Sequence, residues 1–167
     1  MGKRGLFFLA VFMFGLINLI NLQAVTRETL AVLPLSGNVS SEHRTQIQGF
    51  MTTELFSTNR FRIVERARIQ EVMREQQLHS LSLGFAEMQR LGRALGVSKI
   101  IAGEITSFWG TVQTLSPGTN IQGMIYTANV RMIDVQTGFI YIAVTSHITT
   151  GRANLARDIV RQIMEIY

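Results

Sequence analysis

Histidines, cysteines and paired carboxylates are the side chains most often used for acid–base, nucleophilic and metal chemistry, and this chain offers few of them at a usable spacing. Its three histidines, His43, His79 and His147, stand singly, and it has no cysteine. General acid–base catalysis needs a second titratable group in the same pocket, and a zinc-binding helix needs the HExxH spacing. The sequence therefore predicts no catalytic residue, no metal site and no cofactor, and it excludes disulfides and thiol nucleophiles.

A turn that follows an apolar segment has the position, but not the residues, of a phosphate-binding loop. It spans Leu35–Ser40 and lies between a predicted strand and a predicted helix. A phosphate loop ends in glycine and lysine followed by serine or threonine, because the lysine contacts the phosphates. That ending is missing here, so phosphate binding is not predicted.

Arginines in the middle of the chain raise the question of nucleic-acid binding. They are Arg60, Arg62, Arg66, Arg68, Arg74, Arg90 and Arg93. A continuous basic stripe would neutralise phosphates. Glutamates interrupt this stripe at Glu65, Glu71, Glu75 and Glu87, and the formal net charge of +5 is mild. A solvated, ion-paired helix face is therefore predicted, and nucleic-acid binding is not.

The most conspicuous charged pair, Glu65 and Arg66, stands where a predicted strand turns into a predicted helix. We expect the Glu65 carboxylate to accept hydrogen bonds from backbone amides at the helix start, where the helix dipole favours an anion. A structural role is the simpler interpretation of this pair. The alternative is that Glu65 and Arg66, together with Arg68, lie at a protein interface.

Phe108 and Trp109 stand at the end of another predicted strand, before a polar segment that is rich in turn residues and contains Pro117. The two aromatic residues are either core residues, the favoured interpretation, or an exposed contact patch. The segment from Trp109 to Gly123 is predicted to be a loop or a hairpin tip, and a loop on a rigid sheet suits recognition. Phe108, Trp109 and Pro117 are therefore candidate protein-interface residues.

The elements that must position these residues follow a β-α-β-α-α-β-β-β-α order. The predicted segments are a strand at Leu30–Leu35, a helix after Ser40 or Ser41, a strand at Phe61–Glu65, a helix from about Ala67 to Gln76, a packed loop at Leu78–Leu83, a helix ended by Gly96, a strand at Ser98–Phe108, an antiparallel pair joined by the Gln136–Gly138 turn, and a closing helix. The first helix should bury Ile47, Phe50, Met51 and Leu55, and the last should bury Leu155, Ile159, Ile163 and Ile166. This order predicts an α/β domain with a single mixed sheet on which the helices pack.

The amino terminus has the pattern of an export signal. Lys3 and Arg4 precede an apolar run from Leu6 to Leu22, and Ala24 offers a cleavage position. Residues 1–24 are therefore predicted to be a signal peptide, and residues 25–167 to be one periplasmic domain. The alternative is an uncleaved segment that anchors the domain to the inner membrane, which would be its only membrane contact, although two asparagines weaken the run as a spanning helix.

Several short motifs occur in an order that resembles a known family. They are Phe61–Arg66, Glu75–Gln76, Leu91–Val97, Ile101–Ile105 and Ile133–Gly138. Together they resemble the periplasmic domain of the curli-secretion channel (CsgG-type) family, whose fold is shared by penicillin-binding-protein activators and is similar to the amino-terminal domain of TolB. The resemblance covers about residues 30–167 and implies a periplasmic α/β module that binds protein.

Two departures from the family pattern bear on function. The channel is a lipoprotein anchored through a cysteine, and this chain has none. The channel also carries two long hairpins that build its pore. Here the region from Trp109 to Ile125 is short and polar, and only a few residues follow Ile148 before the closing helix. The comparison with the family therefore implies neither a lipid anchor nor a pore.

The predicted function is that of a non-enzymatic periplasmic accessory or scaffold protein of the bacterial envelope. In one hypothesis, copies pack side by side, the Glu65–Arg66 helix against a neighbour's sheet edge, and form a homo-oligomeric ring around a secretion or motility apparatus. In the other, a monomer docks its Trp109–Gly123 loop on a cell-wall synthase and regulates it. A hydrolase of envelope polymers is the enzyme-class alternative, and it would need a clustered acid and base.

Overall fold

The structure is a computed structural model, and it describes residues 27–78, 83–113, 120–148 and 151–167. Its strands are β1 (Glu28–Val32), β2 (Phe61–Ile63), β3 (Lys99–Gln113), β4 (Asn120–Asp134) and β5 (Ile140–Ile148). Its helices are α1 (Ser41–Ser57), α2 (Arg66–Glu75), α3 (Phe85–Leu95) and α4 (Arg152–Ile166). The predicted order of elements and the predicted fold class, an α/β domain with a single mixed sheet, are confirmed.

β1 lies inside the sheet, whose strand order is β2-β1-β3-β4-β5. It pairs in parallel with β2 and with β3, whereas β3 with β4 and β4 with β5 form antiparallel pairs. Parallel neighbours need crossover connections, which α1 and the α2–α3 pair supply, but antiparallel neighbours need only turns. The predicted turn at Gln136–Gly138 is one of these turns, and it places Gly138 at φ +79°.

Alternate residues of β1 and of the segment that follows it serve two hydrophobic clusters on opposite faces of the sheet. Leu30 and Val32 pack into the first cluster, and Ala31 and Leu33 pack into the second. None of these four side chains is more than 2% exposed. Because successive side chains of a strand point to opposite faces, a strand that is apolar at every position needs cover on both faces. This double burial explains the unbroken apolar run in the sequence.

The first face of the sheet is covered by α1 and α4. Their buried residues are Ile47, Met51 and Leu55 from α1 and Leu155, Ala156, Ile159, Val160 and Ile163 from α4. Two residues predicted to join them are not buried, since Phe50 is 42% and Ile166 is 60% exposed. α1 makes its contact through a narrow stripe at four-residue spacing, which leaves Phe50 at the rim. At the end of α4, Tyr167 takes the place of Ile166, with its ring centroid 4.9 Å from that of Phe61.

The second face is covered by α2 and α3 where β1 and β3 run. The helices contribute Ile69, Val72, Met73, Met88 and Leu91 to the second cluster. Leu78 packs on the same cluster, as predicted for a packed loop, and residues 79–82 lie outside the described ranges. Farther along this face β4 and β5 expose Asn129, Arg131 and Thr145. β4 is therefore the half-buried strand that its alternating sequence predicts.

Two predicted helix ends agree with the structure. Ser40 is the N-cap residue of α1, and its Oγ accepts a hydrogen bond from the backbone N–H of His43 at 3.3 Å. Gly96 ends α3 with φ +67°, a left-handed conformation that glycine adopts without steric cost. These local signals fix where α1 begins and where α3 ends.

Across the ranges that the structure describes, every helix is too short or too polar to cross a membrane. The predicted signal peptide, residues 1–24, lies outside those ranges. Its presence and its cleavage therefore stay predictions.

A buried ion pair joins β3 to β4 at one end of the first face. Lys99, which is 7% exposed, places Nζ 2.7 Å from Oδ2 of Asp134 and 4.6 Å from the centre of the Tyr141 ring. The other carboxylate oxygen of Asp134 accepts hydrogen bonds from the backbone N–H and the hydroxyl of Thr137, at 2.7 and 2.9 Å. The hydrogen bond from Lys99, followed by that from the Thr137 backbone, holds the pKa of Asp134 well below its usual range. Asp134 thus neutralises Lys99 and closes the turn into β5.

Replacing Asp134 by asparagine should destabilise the domain more than replacing Lys99 by methionine. Asp134→Asn leaves the buried ammonium of Lys99 without a counter-ion, whereas Lys99→Met removes the buried charge and fills a similar volume. We expect the free energy of unfolding to fall by about 2 kcal/mol for Asp134→Asn and by about 1 kcal/mol or less for Lys99→Met. Urea unfolding at neutral pH, followed by circular dichroism, measures both values. An equal or larger loss in Lys99→Met would contradict this account of the pair.

The same ion pair should make the stability of the domain fall in acid. Because folding lowers the pKa of Asp134, the stabilisation is complete above the unfolded-state pKa of about 3.9 and is lost as the pH falls through the folded-state pKa. The difference in unfolding free energy between the unchanged protein and Asp134→Asn should therefore be constant from about pH 7 to about pH 5 and shrink below about pH 4. Urea titrations over this range test the expectation, and a constant difference down to about pH 3 would refute it.

Candidate functional site

The predicted interface residues Phe108 and Trp109 lie on a two-stranded extension of the sheet. β3 and β4 are 15 residues long and pair along their whole length, whereas the last residues paired between β4 and β5 are Tyr126 and Ile148. Segments 108–113 and 120–125 therefore project beyond the described part of β5, and we call them the hairpin arm. The predicted loop from Trp109 to Gly123 is paired strand at both of its ends, and the predicted end of β3 at Phe108 is too early.

The turn between β1 and α1 anchors the base of the hairpin arm. The side-chain oxygen of Asn38 accepts a hydrogen bond from the backbone N–H of Ser107 at 2.8 Å, and its Nδ2 donates to the carbonyl of Ser107 at 3.1 Å. Gly37 has φ +117° and approaches β3 so closely that a Cβ would lie 1.8 Å from the carbonyl oxygen of Ile105. Ser36 also exchanges backbone hydrogen bonds with β3, at 2.9 and 3.0 Å. In this turn, which has the position of a phosphate loop, Ser36 and Asn38 therefore bind β3.

Apolar side chains are exposed on the hairpin arm. Phe108 is 53% and Trp109 is 68% exposed, so the favoured core interpretation is wrong. The reason is that β5 ends opposite Tyr126, and no third described strand flanks the arm. Trp109 pairs with Met124, which is 38% exposed, and Phe108 pairs with Ile125. Since neighbouring residues on a strand point to opposite faces, the arm is apolar on both faces.

Pro117, the third predicted interface residue of this region, lies outside the described ranges, between the two strands of the arm. Its interface role stays a prediction. The described part of the arm exposes Phe108, Trp109 and Met124 beside the polar Thr111 and Gln122, and an exposed apolar patch with polar neighbours is typical of a contact surface.

The Glu65–Arg66 pair lies where α2 begins, but its members act separately. Glu65 is the N-cap residue of α2, yet its side chain accepts no hydrogen bond from the helix amides, so that prediction is wrong. Glutamate is longer than the serine, threonine or aspartate that fits this position best. Arg66 instead donates from Nη2 to Oγ1 of Thr45 on α1, at 3.1 Å. Arg66 therefore joins two helices, and Glu65 is left exposed.

Arg68 belongs to the solvated face of α2. Its Nη1 lies 2.7 Å from Oε2 of Glu71, and the two side chains are 54% and 50% exposed. The hydrogen bond that Arg68 donates to Glu71, followed by the charge of Glu71, raises the pKa of Arg68. Exposed pairs of this kind add little stability. The ion-paired helix face expected from the sequence is found here.

A crevice of about 740 Å³ lies between α1 and α2, beyond the carboxyl end of β1. α1 packs on the first face of the sheet and α2 on the second, so the connections that leave β1 and β2 diverge and leave an opening. The crevice is lined by Ser41, Arg44, Thr45 and Gln48 of α1, by Arg66, Gln70, Met73 and Arg74 of α2, and by Pro34, Leu35 and Leu78. We call it the arginine crevice, because three arginines and no carboxylate line it among the residues that the structure describes.

The outer edge of β5 is a second surface that the sequence analysis did not single out. β5 is the last strand of the sheet, and no described strand pairs with its outer side. At its start Phe139, Ile140 and Tyr141 are 76%, 50% and 55% exposed. The signal in the sequence is three consecutive apolar residues directly after a turn, ahead of a regular alternation. An edge strand with exposed apolar residues can pair with another chain.

The histidines do not form a site among the described residues. His43 lies in the first turn of α1, and the His147 ring on β5 lies 3.0 Å from Oγ1 of Thr127. His79 is outside the described ranges. Within those ranges, no three His, Asp or Glu side chains are grouped closely enough to hold a metal ion.

Several solved structures share this fold at low sequence identity. The LpoB C-terminal domain from Salmonella enterica has a TM-score of 0.55 and 13% identity, with 80% of this chain and 91% of that chain covered. A PelC dodecamer from Paraburkholderia phytofirmans has a TM-score of 0.51 and 12% identity, with 83% and 86% covered. TolB from Acinetobacter baumannii has a TM-score of 0.50 and 12% identity, with 84% and 28% covered. These likenesses confirm the expected relation in fold to the penicillin-binding-protein activators and to TolB.

Comparison with curated proteins finds no match. The family model described as "Curli production assembly/transport component CsgG" matches residues 16–163, which include every strand and all but the last turn of α4. The match confirms the resemblance carried by the short motifs between Phe61 and Gly138. The chain therefore belongs to the CsgG family.

Proposed function

We propose that this protein is a non-enzymatic, periplasmic accessory protein of the bacterial envelope, and that its copies associate side by side in a ring around a secretion or motility apparatus. Membership of a family described as an assembly and transport component supports the envelope role. The observation that carries self-association is the exposed apolar start of β5, on a sheet edge that no described strand covers. The PelC structure, which shares the fold, is a dodecamer, and this supports an assembly of copies.

The two edges of the sheet suit a head-to-tail contact between copies. The β5 edge is nine residues long and apolar at its start, whereas the β2 edge has three residues and an exposed Arg62. Glu65, Arg66 and Arg68 follow β2 directly and are exposed on that side of the molecule. A contact between two unlike surfaces leaves one free surface of each kind on the pair, so the contact can repeat, and it forms a ring when the rotation between copies closes. In this proposal the predicted interface residues Glu65, Arg66 and Arg68 form one of the two surfaces, and the β5 edge of the next copy forms the other.

Light scattering of the full chain should give a mass several times the 18.8 kDa of one chain. The double substitution Phe139→Arg with Ile140→Arg should reduce the mass to that of one chain, because it would bury unpaired charges in the contact. Both residues are at least half exposed in the single chain, so the substitutions should leave its unfolding free energy within about 0.5 kcal/mol.

Phe56→Arg is the matched control, because Phe56 is also an exposed aromatic residue, 66% exposed near the end of α1. It should leave the mass of the assembly unchanged. A single-chain mass for the unchanged protein would refute the ring. An equal dissociation in Phe56→Arg would refute the role of the β5 edge.

The hairpin arm favours a second candidate function, that of a monomer that docks the arm on a cell-wall synthase and regulates it. The supporting observation is the exposure of Phe108 and Trp109 on a projection that no other described element covers. Aromatic residues of this kind carry much of the binding energy in protein interfaces. The likeness in fold to the LpoB domain points in the same direction.

A photo-crosslinking residue in place of the exposed Thr111 should capture a cell-wall synthase from intact cells if the arm docks there. The double substitution Phe108→Ser with Trp109→Ser should reduce this crosslink about tenfold or more, because it removes the apolar anchors. The same crosslinking residue at Thr145, exposed on the open face of β5, is the control and should not capture the synthase. Crosslinks from position 111 that reach only other copies of this chain would assign the arm to self-association instead.

A further inference from the structure

Of the residues that line the arginine crevice, only Arg66 also belongs to a proposed contact, and the charges of the crevice are sorted by helix face. Arg66, Gln70 and Arg74 recur every four residues of α2 and line the crevice. The carboxylates of the same helix do not line the crevice. Glu71 forms an ion pair with Arg68, and the charge of Glu75 also acts on Arg68. The lining residues of α1 also follow helical spacing. The crevice therefore lies between two polar helix faces whose charged residues, within the described lining, are all arginines.

The arginines of the crevice are held in place but not neutralised. Nη1 of Arg44 donates to the carbonyl of Gly37 at 2.9 Å and to that of Val39. Arg66 donates to Oγ1 of Thr45, so all three acceptors of these arginines are uncharged oxygens. Among the described residues the guanidinium of Arg74 has no hydrogen-bond or ion-pair partner. A guanidinium carries several donors in a planar fork, so all three arginines keep donors that a ligand can use.

The surroundings of the crevice add positive potential. Ser41 and Arg66 are the first residues of α1 and α2, and both line the crevice, so the positive ends of two helix dipoles lie there. Glu42, the acidic residue in the first turn of α1, bonds Gln46 and is not part of the lining. The crevice is therefore suited to an anion.

We propose that the arginine crevice binds an acidic segment of a protein partner, with carboxylates on Arg66 and Arg74 and an apolar side chain on the floor. The planar fork of arginine matches a carboxylate in two parallel hydrogen bonds. Pro34, Leu35, Met73 and Leu78 supply the apolar floor, which charge alone does not require. Arg66 and Arg74 are exposed, so the crevice is open to a passing chain. The inference rests on the proposed function in one respect, that this chain binds other proteins. It does not depend on formation of the ring.

A free phosphate is the competing source of negative charge. It would leave the apolar floor uncovered, and the nearby turn has already committed its Ser36 amide to Gly103 at 3.0 Å. A phosphate site would instead gather free backbone amides around the anion. The peptide therefore fits the lining better.

A fluorescein-labelled peptide with glutamates on either side of one leucine is the probe, and fluorescence anisotropy with the full chain at low salt measures its dissociation constant. Arg74→Glu should weaken binding about tenfold or more, because it replaces an attraction by a repulsion. This variant should fold normally, since Arg74 is exposed and the described residues give its guanidinium no partner. A thermal melt by circular dichroism verifies the folding.

Arg93→Glu is the matched control, because it makes the same change of charge at an exposed arginine of α3 that does not line the crevice. It should change the dissociation constant less than about twofold, since exposed charges are screened by solvent. A peptide with glutamines in place of the glutamates should not bind. Failure of the acidic peptide to bind the unchanged protein, or equal weakening by Arg93→Glu, would overturn the proposal.

Two further measurements separate this site from the alternatives. Inorganic phosphate should displace the peptide no better than sodium chloride of equal ionic strength, and stronger displacement would assign the crevice to a phosphate-bearing ligand. Light scattering should give Arg74→Glu the same mass as the unchanged protein. A drop in mass would place the crevice in the contact between copies and overturn the proposal, whereas loss of peptide binding at unchanged mass supports it whatever that mass is.

Discussion

The burial of β1 on both faces decides where the helices of this domain stand. Leu30 and Val32 need cover on one side, and Ala31 and Leu33 need it on the other, so α1 and α2 must pack on opposite faces. The connections that leave β1 and β2 then separate, and the arginine crevice opens between them. The crevice is thus a consequence of the doubly covered strand. Its polarity is not such a consequence, because the apolar stripes of α1 and α2 leave their other faces free to carry any polar residue.

Burial constrains the antiparallel half of the sheet less than it constrains β1. On the second face β4 is covered at Ile133 but exposed at Asn129 and Arg131, so its residues alternate there, and β3 and β4 can pair with each other far beyond the helices. The body of the domain supplies the stability, and the hairpin arm can therefore expose Phe108 and Trp109 without a core of its own. Asn38 supports the base of the arm in place of a strand neighbour, since its side-chain amide makes the two hydrogen bonds that a strand backbone would make to Ser107.

The sequence predicted the fold because each element carries its own local signal. The apolar run at Leu30 indicates a buried strand, the serine before α1 indicates the start of a helix, and the glycine after α3 indicates the end of one. Together such signals give the order of elements. The failures concern what one element meets in space. The pattern around Phe108 does not say where β5 ends, and it was the end of β5 that left this ring exposed. The position of Glu65 suggested a cap, but its side chain makes no capping hydrogen bond. The arginine crevice requires the placement of α1 against α2, which no spacing within either helix contains.

The turn between β1 and α1 connects two of the candidate surfaces. Asn38 holds the base of the hairpin arm, and the carbonyls of its neighbours Gly37 and Val39 hold Arg44 in the crevice. β1 and β3 run parallel, so the arm leaves the sheet at the same end at which the crevice opens. The exposed start of β5 lies at the other end, next to the pair formed by Lys99 and Asp134, because β5 begins opposite Ile133. The exposed start of β5 and the arginine crevice therefore share no residue, and Arg66 alone is common to the crevice and to the other side of the proposed contact between copies.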